Sequence, residues 1–200
     1  MNYTELKTQI TSYTKRADLE ASIDTFIDFF EAHANATLRV APMEVNITAT
    51  PVSGLVTLPA DYLGMRRVKS GTSTIQYVTP DKLLDYGTTS ANVYTIVGNV
   101  LDPNTSEDIV YTYYQKVPPL SASNLTNWLI DSYPNAYLYG SVAEAMIFSK
   151  GDASIPLQLR EATLNGIIKS DKKARWGGTP LRQNTSNKDV IRFNSKILFI

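Results

Sequence analysis

Cysteine is absent from the 200 residues, which excludes disulfides, thiolate nucleophiles and cysteine-ligated metal sites. Histidine occurs once, at His33, so no second imidazole is available for a His-x-x-x-His metal site. No run of residues reaches the ~18 apolar positions of a transmembrane helix, and the N-terminus lacks the basic start and apolar run of a signal peptide. We therefore expect a soluble protein made in a reducing compartment, with no membrane partner.

Motifs for catalysis and for phosphate binding are also missing. There is no Gly-x-x-x-x-Gly-Lys-Ser/Thr or Gly-x-Gly-x-x-Gly loop, and no Gly-x-Ser-x-Gly turn that could present a serine to His33. Residues 102–108 hold three acidic side chains without the alternating oxygen ligands of a calcium loop. Asp24, Asp28 and Glu31 share a helical face, which is typical of a solvated face. The sequence predicts a protein that is not an enzyme, without a cofactor or metal, and a partly exposed His33.

The charge is balanced over the chain but not along it. Nineteen basic residues match nineteen acidic ones, which argues against a general nucleic-acid binder. The stretch 169–200 nevertheless carries a net charge of +6 and leaves residues 1–168 at −6. Such a basic end suits an acidic partner or a phosphate backbone, and a solvated helix end followed by a loose tail accounts for it equally well.

Helical periodicity marks both ends of the chain. It predicts a helix over residues 3–14 and a second one that is capped by Ser22 or Asp24 and ended by Pro42. In the other half, residues 124–130 favour helix, and a stronger, almost wholly apolar helix begins at residues 132–134. In that helix, Gly140 favours close approach of a neighbouring helix. The last helix is predicted over residues 154–176, with basic residues in its final turns and Gly177 after it.

The centre of the chain has the alternating pattern of strands. Turn residues separate β-prone runs, which cover residues 45–49, 55–58, 65–68, 74–78, 93–97 and 109–114. A short helical turn is predicted over residues 80–86. We expect an α+β fold: a helical bundle built from the N- and C-terminal segments, an inserted small antiparallel β domain and an extended C-terminal arm. The predicted boundaries are 1–42 and 123–178 for the helical domain, 43–122 for the β domain and 179–200 for the arm.

Eight runs in collinear order resemble one family, the head-to-tail adaptors of tailed phages, a group that includes tail tubular protein A of short-tailed phages. The runs are residues 3–6 (YTEL), 14–19 (TKRADL), 26–31 (FIDFFE), 38–44 (LRVAPME), 56–63 (VTLPADYL), 113–120 (YYQKVPPL), 126–130 (TNWLI) and 134–140 (PNAYLYG).

This resemblance implies a structural virion protein of the neck or tail, assembled in the cytoplasm of a bacterial host. It implies a homo-oligomeric ring, usually a dodecamer, that joins the portal to the tail and continues the DNA channel. Its partners would be other copies of itself, the portal protein, a tail nozzle or next tail component, and the genomic DNA during ejection. The helical part would form the ring body and the β part would face the next tail component.

The resemblance also implies a C-terminal arm that reaches into a neighbouring subunit or the portal. A polar spacer followed by an apolar, β-prone end suits strand addition to an exposed sheet edge. The predicted partner-binding residues of the arm are Arg192, Phe193, Lys196, Ile197, Leu198, Phe199 and Ile200. The alternative function is a nucleic-acid-binding module that uses the basic C-terminal segment.

Overall fold

The computed structural model describes residues 1–86 and 92–176. Its elements in chain order are α1 (Tyr3–Thr14), α2 (Ile23–Thr37), β1 (Glu44–Ala49), β2 (Val56–Thr57), β3 (Tyr62–Ser70), β4 (Ser73–Tyr77), α3 (Pro80–Asp85), β5 (Val93–Val97), β6 (Val100–Asp102), β7 (Ile109–Gln115), α4 (Trp128–Ser132), α5 (Pro134–Phe148) and α6 (Ser154–Trp176). Short 3₁₀ turns at Ala17–Ser22 and Ala41–Met43 flank α2. The expected α+β class is confirmed.

The N-terminal helices begin and end for local reasons. A reciprocal capping box starts α1: the Asn2 side chain accepts the N–H of Glu5 at 2.9 Å, and the Glu5 carboxylate accepts the N–H of Asn2 at 3.0 Å. Ser22 precedes α2, but its side chain makes no capping hydrogen bond. The prediction that α2 runs to Pro42 is wrong. The chain turns extended at Leu38, which is fully buried, so core packing ends the helix before the proline is reached.

The C-terminal helices follow the predicted order with two corrections. α4 begins at Trp128 and not at residue 124, because Asn127 caps it by accepting the N–H groups of Leu129 and Ile130. α5 is largely buried as expected, but its last turn is not, since Ile147 and Phe148 are more than half exposed. α6 covers the predicted residues 154–176.

Within the described residues the strands form one seven-stranded sheet in the order β1-β7-β3-β4-β5-β6-β2. All ladders are antiparallel except that between β4 and β5, where Gln76 pairs with Val93 and Tyr77 with Tyr94 in parallel. The expectation of a purely antiparallel domain is therefore wrong at this pair. The physical reason is that α3 lies between β4 and β5 in the chain, and a crossover of this kind returns the chain to the same end of the sheet.

In the part of the chain that the structure describes, two main clusters of buried side chains form the core. The helical cluster combines residues of α1 and α2 with residues of α4, α5 and α6, among them Leu6, Ile10, Ile27, Phe30, Leu129, Tyr137, Val142 and Leu164. The sheet cluster includes Val56, Val68, Ile75, Leu101, Ile109, Tyr111 and Tyr113. The expected close approach at Gly140 is confirmed, because a Cβ atom there would lie 2.0 Å from Cδ2 of Phe30. The domain boundaries proposed from the sequence stay a prediction.

Candidate partner-binding surfaces

The seven predicted partner-binding residues, Arg192, Phe193, Lys196, Ile197, Leu198, Phe199 and Ile200, lie outside the described residues. So do Gly177, predicted to follow the last helix, and the whole predicted arm. The structure does fix the place from which the C-terminal segment (residues 177–200) departs, because α6 is described to its end at Trp176. The surroundings of that helix end are therefore the first candidate surface.

Ionic and hydrogen-bonded contacts attach the last turn of α6 to the start of β1. Arg175 Nη1 lies 2.6 Å from Glu44 Oε1, and Arg175 Nε donates to Asp171 Oδ2 at 2.6 Å. Asp171 in turn accepts the backbone N–H of Ala41 at 2.8 Å, and Glu44 also pairs with Arg66 Nε at 3.0 Å. Burial disfavours the charge of Arg175, but the hydrogen bonds to Glu44 and Asp171 outweigh it, and the pKa of the guanidinium is raised. The last turn of α6 thus lies beside Glu44, the first residue of β1.

Strand β1 lies at one edge of the sheet. Among the described residues it has a ladder partner, β7, on one side only. No residue of β1 is fully buried. Val45, Ile47 and Ala49 pack partly buried against the sheet cluster, and Glu44, Asn46 and Thr48 alternate with them on the opposite face. That polar face continues into an open groove lined by Glu44, Asn46, Arg66, Arg67 and Thr112.

A second surface lies at the end of the helical hairpin made by α5 and α6. Large apolar side chains are exposed there, and they are Ile147, Phe148, Ile155 and Leu159. Phe148 approaches Phe26 of α2 with ring centroids 5.5 Å apart, and Phe29, on the next turn of α2, is exposed as well. Exposed apolar side chains grouped on neighbouring elements are typical of a protein–protein contact.

Glu31 is buried, so the prediction that it lies on a solvated face with Asp24 and Asp28 is wrong for this residue. Its exposed fraction is only 5%, and its Oε1 accepts the N–H of Leu120 at 2.9 Å and the hydroxyl of Tyr137 at 2.9 Å. Asn127 Nδ2 donates to the same hydroxyl at 2.7 Å. Burial, with a smaller contribution from Asp28, raises the pKa of the Glu31 carboxyl to about 7. The side chain joins α2 to α5 and to the loop before α4, so its role is internal.

The other polar residues considered from the sequence have ordinary surface partners. His33 is partly exposed, as expected, and its Nε2 lies 3.1 Å from Glu161 Oε1 of α6. Asp24 accepts the hydroxyl of Tyr3 at 2.6 Å and pairs with Lys7 at 2.8 Å. Within residues 1–86 and 92–176 no group of three or more acidic or histidine side chains is placed to hold a metal ion.

One of these contacts, between Glu44 and Arg175, could not be predicted from the sequence, whereas the burial of Glu31 could. Glu44 and Arg175 are far apart in the chain, and no local period connects them. Glu31 did carry a signal, because it lies four residues after Ile27 and three before Ala34, within the apolar stripe of α2. An acidic residue inside a buried stripe predicts a buried, hydrogen-bonded carboxylate.

A family model described as SU10 adaptor protein matches residues 1–184, which takes in every described residue and the start of the C-terminal segment. No curated protein matches the chain. None of the helices in the described parts of the chain is long and apolar enough to cross a membrane.

Proposed function

The chain belongs to the SU10 adaptor protein family, and from that membership we propose that it forms a ring between the portal and the tail. The family indicates a head-to-tail adaptor role in a phage, and an adaptor of this kind is a component of the virion. The proposal adds the ring, usually dodecameric in adaptors of the tail tubular protein A group, and a DNA channel that continues through it. It also holds that the protein acts structurally and not as an enzyme.

The observation that carries the proposal is the family match over residues 1–184. Two features of the structure support it. The exposed apolar side chains at the α5–α6 end would become buried in an assembly, which favours contact with a second subunit. The last described turn of α6 lies beside an edge strand, which would place the C-terminal segment that follows it near an open side of the sheet.

The proposed partners follow from the adaptor role. Other copies of the chain would form the ring. The portal protein would bind one face of the ring. A tail nozzle or the next tail component would bind the face that carries the β-sheet. Genomic DNA would pass through the channel without sequence-specific contacts. Assembly in the cytoplasm of the bacterial host belongs to the same proposal.

Electron microscopy of the full chain mixed with its cognate portal tests the ring. We expect annular density beneath the portal and one discrete copy number in native mass spectrometry. A monomer in the absence of the portal agrees with the proposal, because the portal can template the ring. Portal particles without added density would contradict it.

A charge substitution tests the hairpin surface. Ile155, which is 64% exposed, is replaced in an Ile155→Asp variant, and Val52, 77% exposed in the loop after β1, gives the control Val52→Asp. Neither change disturbs a buried side chain, so both variants should fold. We expect only Ile155→Asp to lose ring density, because it places a charge in an apolar contact. Equal behaviour of the two variants would remove this surface from the proposal.

The alternative function is a nucleic-acid-binding module, favoured by the net charge of +6 over residues 169–200. A salt titration of DNA binding separates the two functions. Binding through phosphate contacts falls steeply with salt, whereas the proposed ring needs no measurable affinity of the free protein for DNA. Tight, salt-sensitive binding by the monomer would favour the alternative.

A further inference from the structure

We propose that the outer face of the sheet, formed by Asn46, Arg66, Arg67, Lys69 and Thr112, binds the phosphate backbone of double-stranded DNA. These residues lie on β1, β3 and β7, on the side of the sheet opposite the sheet cluster. The inference goes beyond the proposed function, because it follows from the charges of this face and does not depend on the formation of a ring. It also differs from the alternative function, which places nucleic-acid binding in the basic C-terminal segment.

A β-bulge in β3 brings two consecutive arginines to this face. Met65 pairs with Tyr113 and Arg67 pairs with Thr112, so Arg66 is an extra residue between two neighbouring positions of β7. In a regular strand Arg67 would lie on the same side as Met65, which packs against the sheet cluster. The bulge moves Arg67 to the side of Arg66 instead, and both arginines are exposed. Bulges re-aim side chains in this way and are common beside functional sites.

The positive charge of this face is only partly balanced. Glu44 is the one acidic side chain among the described residues that line the groove, and it pairs with Arg66 Nε at 3.0 Å and with Arg175 Nη1 at 2.6 Å. Lys69 lies two residues after Arg67 on β3, and therefore on the same face. Within residues 1–86 and 92–176, neither Arg67 nor Lys69 has a hydrogen bond or an ion pair. The face thus presents two unpaired cations beside a third, Arg66, whose acidic partner is shared with Arg175.

Neutral hydrogen-bonding groups lie next to these cations. Thr112 is opposite Arg67 in the register, and its hydroxyl donates to Asn46 Oδ1. The amide Nδ2 of the exposed Asn46 therefore has no partner among the described residues. In protein–DNA complexes, phosphate oxygens accept hydrogen bonds from arginine and lysine together with threonine and asparagine side chains. A guanidinium can also bind a phosphate through two parallel hydrogen bonds, so the groove holds the donors that a phosphate backbone requires.

The composition of the groove favours a nucleic acid over a protein as its occupant. The described residues that line the groove are all polar or charged. Protein contacts depend instead on buried apolar and aromatic anchors, and this protein exposes such side chains at the α5–α6 end. DNA presents one negative charge at each phosphate whatever its base sequence. We expect weak binding without sequence preference, because only a few cations take part.

Fluorescence anisotropy of a labelled DNA duplex, titrated with the full chain at about 50 mM salt, tests the inference. A double variant, Arg67→Gln with Lys69→Gln, removes both unpaired cations, and it should fold because neither side chain loses a partner. The matched control is Lys15→Gln with Lys150→Gln, which lowers the net charge equally at two exposed positions that follow α1 and α5. Thermal unfolding of each variant checks that the fold is intact.

Asn46→Asp gives a second, independent variant. It keeps the side-chain oxygen that accepts the hydroxyl of Thr112, and it adds a negative charge to the groove beside Arg67. A phosphate at this position would be repelled, so the affinity for the duplex should fall although no cation has been removed.

We expect the double variant to bind the duplex at least about tenfold more weakly than the native chain. Its plot of log affinity against log salt concentration should be less steep by about 1.8, since each neutralised phosphate contributes about 0.9 to the slope. The control should keep the affinity and the slope of the native chain.

Equal affinity of the double variant and the native chain would overturn the inference, and so would the absence of any binding at low salt. Poly-glutamate is the probe for an acidic protein partner. If it binds as tightly as the duplex and is lost in the same double variant, the face recognises acidic protein and the inference is overturned. The ring is scored separately by electron microscopy with the portal, so a failure of this inference and a failure of the proposed function are distinguishable.

Discussion

The carboxylate of Glu31 accepts a 2.9 Å hydrogen bond from the hydroxyl of Tyr137, and this contact joins the middle of α2 to α5. The two residues are 106 positions apart in the chain, and both are buried. The same Glu31 oxygen accepts the N–H of Leu120, in the loop that leads from the sheet to α4. A single side chain therefore connects the N-terminal helices, the C-terminal helices and the loop between sheet and helices.

Glu31 should make the stability of the protein depend on pH. Its pKa is raised from 4.5 to about 7 in the folded protein, so between these values the folded state holds a proton that the unfolded state has lost. The free energy of unfolding should thus fall as pH rises from 4.5 to 7, by at most ~1.4 kcal/mol per pH unit. Glu31→Gln should flatten this dependence, which urea denaturation across the window would measure. The exposed Glu20→Gln is the control and should keep the slope of the native protein; an unchanged slope in Glu31→Gln would assign the titration to another group.

Gly140→Ala should destabilise the protein. The new Cβ would lie 2.0 Å from a Phe30 ring carbon, and overpacking of this kind costs about 1–3 kcal/mol, which exceeds the gain of ~1 kcal/mol in helix propensity. Gly166→Ala on α6 is the matched control, since nothing lies within 4 Å of its added Cβ, and it should stabilise by up to ~1 kcal/mol. Thermal unfolding would show shifts of opposite sign. A stabilised Gly140→Ala would mean that Phe30 moves aside freely.

Asn127→Ala should destabilise the protein by more than the loss of an ordinary helix cap does. The side chain caps α4 through two N–H groups and also donates to Pro118 O and to Tyr137 Oη, each at 2.7 Å. We expect the free energy of unfolding to fall by about 2–4 kcal/mol. The cap contributes about 1 kcal/mol, and the substitution also leaves the buried acceptors Pro118 O and Tyr137 Oη without their donor. Asn2→Ala, which removes the exposed cap of α1, should cost about 0.5–1 kcal/mol. Equal losses in chemical denaturation would show that the buried contacts of Asn127 add nothing.

Arg175→Gln should loosen the last turn of α6 without unfolding the protein. The substitution removes the pairing with Glu44 and the charged contact with Asp171, which attach this turn to β1 and to Ala41. Hydrogen exchange of the amides near the end of α6 should become faster, while amides in α5 should be unchanged. Lys172→Gln, an exposed change on the same helix, should leave both regions as they are. Unaltered exchange near the helix end in Arg175→Gln would show that other contacts hold it.

The elements with strong local signals could be predicted to the residue. α1 matched residues 3–14 because a regular apolar stripe defines it, and α6 matched residues 154–176 because basic residues in its final turns and Gly177 after it mark its end. The end of α2 was predicted wrongly. The helix ends at Thr37, before Pro42, because the next residue, Leu38, is extended and buried in the core. Tertiary packing decided that boundary, and packing cannot be seen in a local pattern.

Pairing between distant strands was the least predictable part. The runs that form β4 and β5 were found, but their parallel ladder depends on how the chain crosses through α3, which alternation alone does not specify. The ion pair between Glu44 and Arg175 could not be predicted for the same reason. The two residues are 131 positions apart, and no local sequence pattern indicates that they pair. The predicted residues of the arm stay a prediction, because they lie beyond the described part of the chain.

The composition of the helical cluster has a consequence for how the protein is made. Ile10 and Phe30 leave the ribosome early, yet Tyr137 and Leu164, which belong to the same cluster, are synthesised more than a hundred residues later. Contacts of such long sequence separation form slowly. Until α5 and α6 have been synthesised, the apolar side chains of the first two helices stay exposed to water, and such exposed surface promotes aggregation. Chains cut short before Leu164 should therefore be recovered as insoluble material, and productive folding should begin only when nearly all of α6 has been translated.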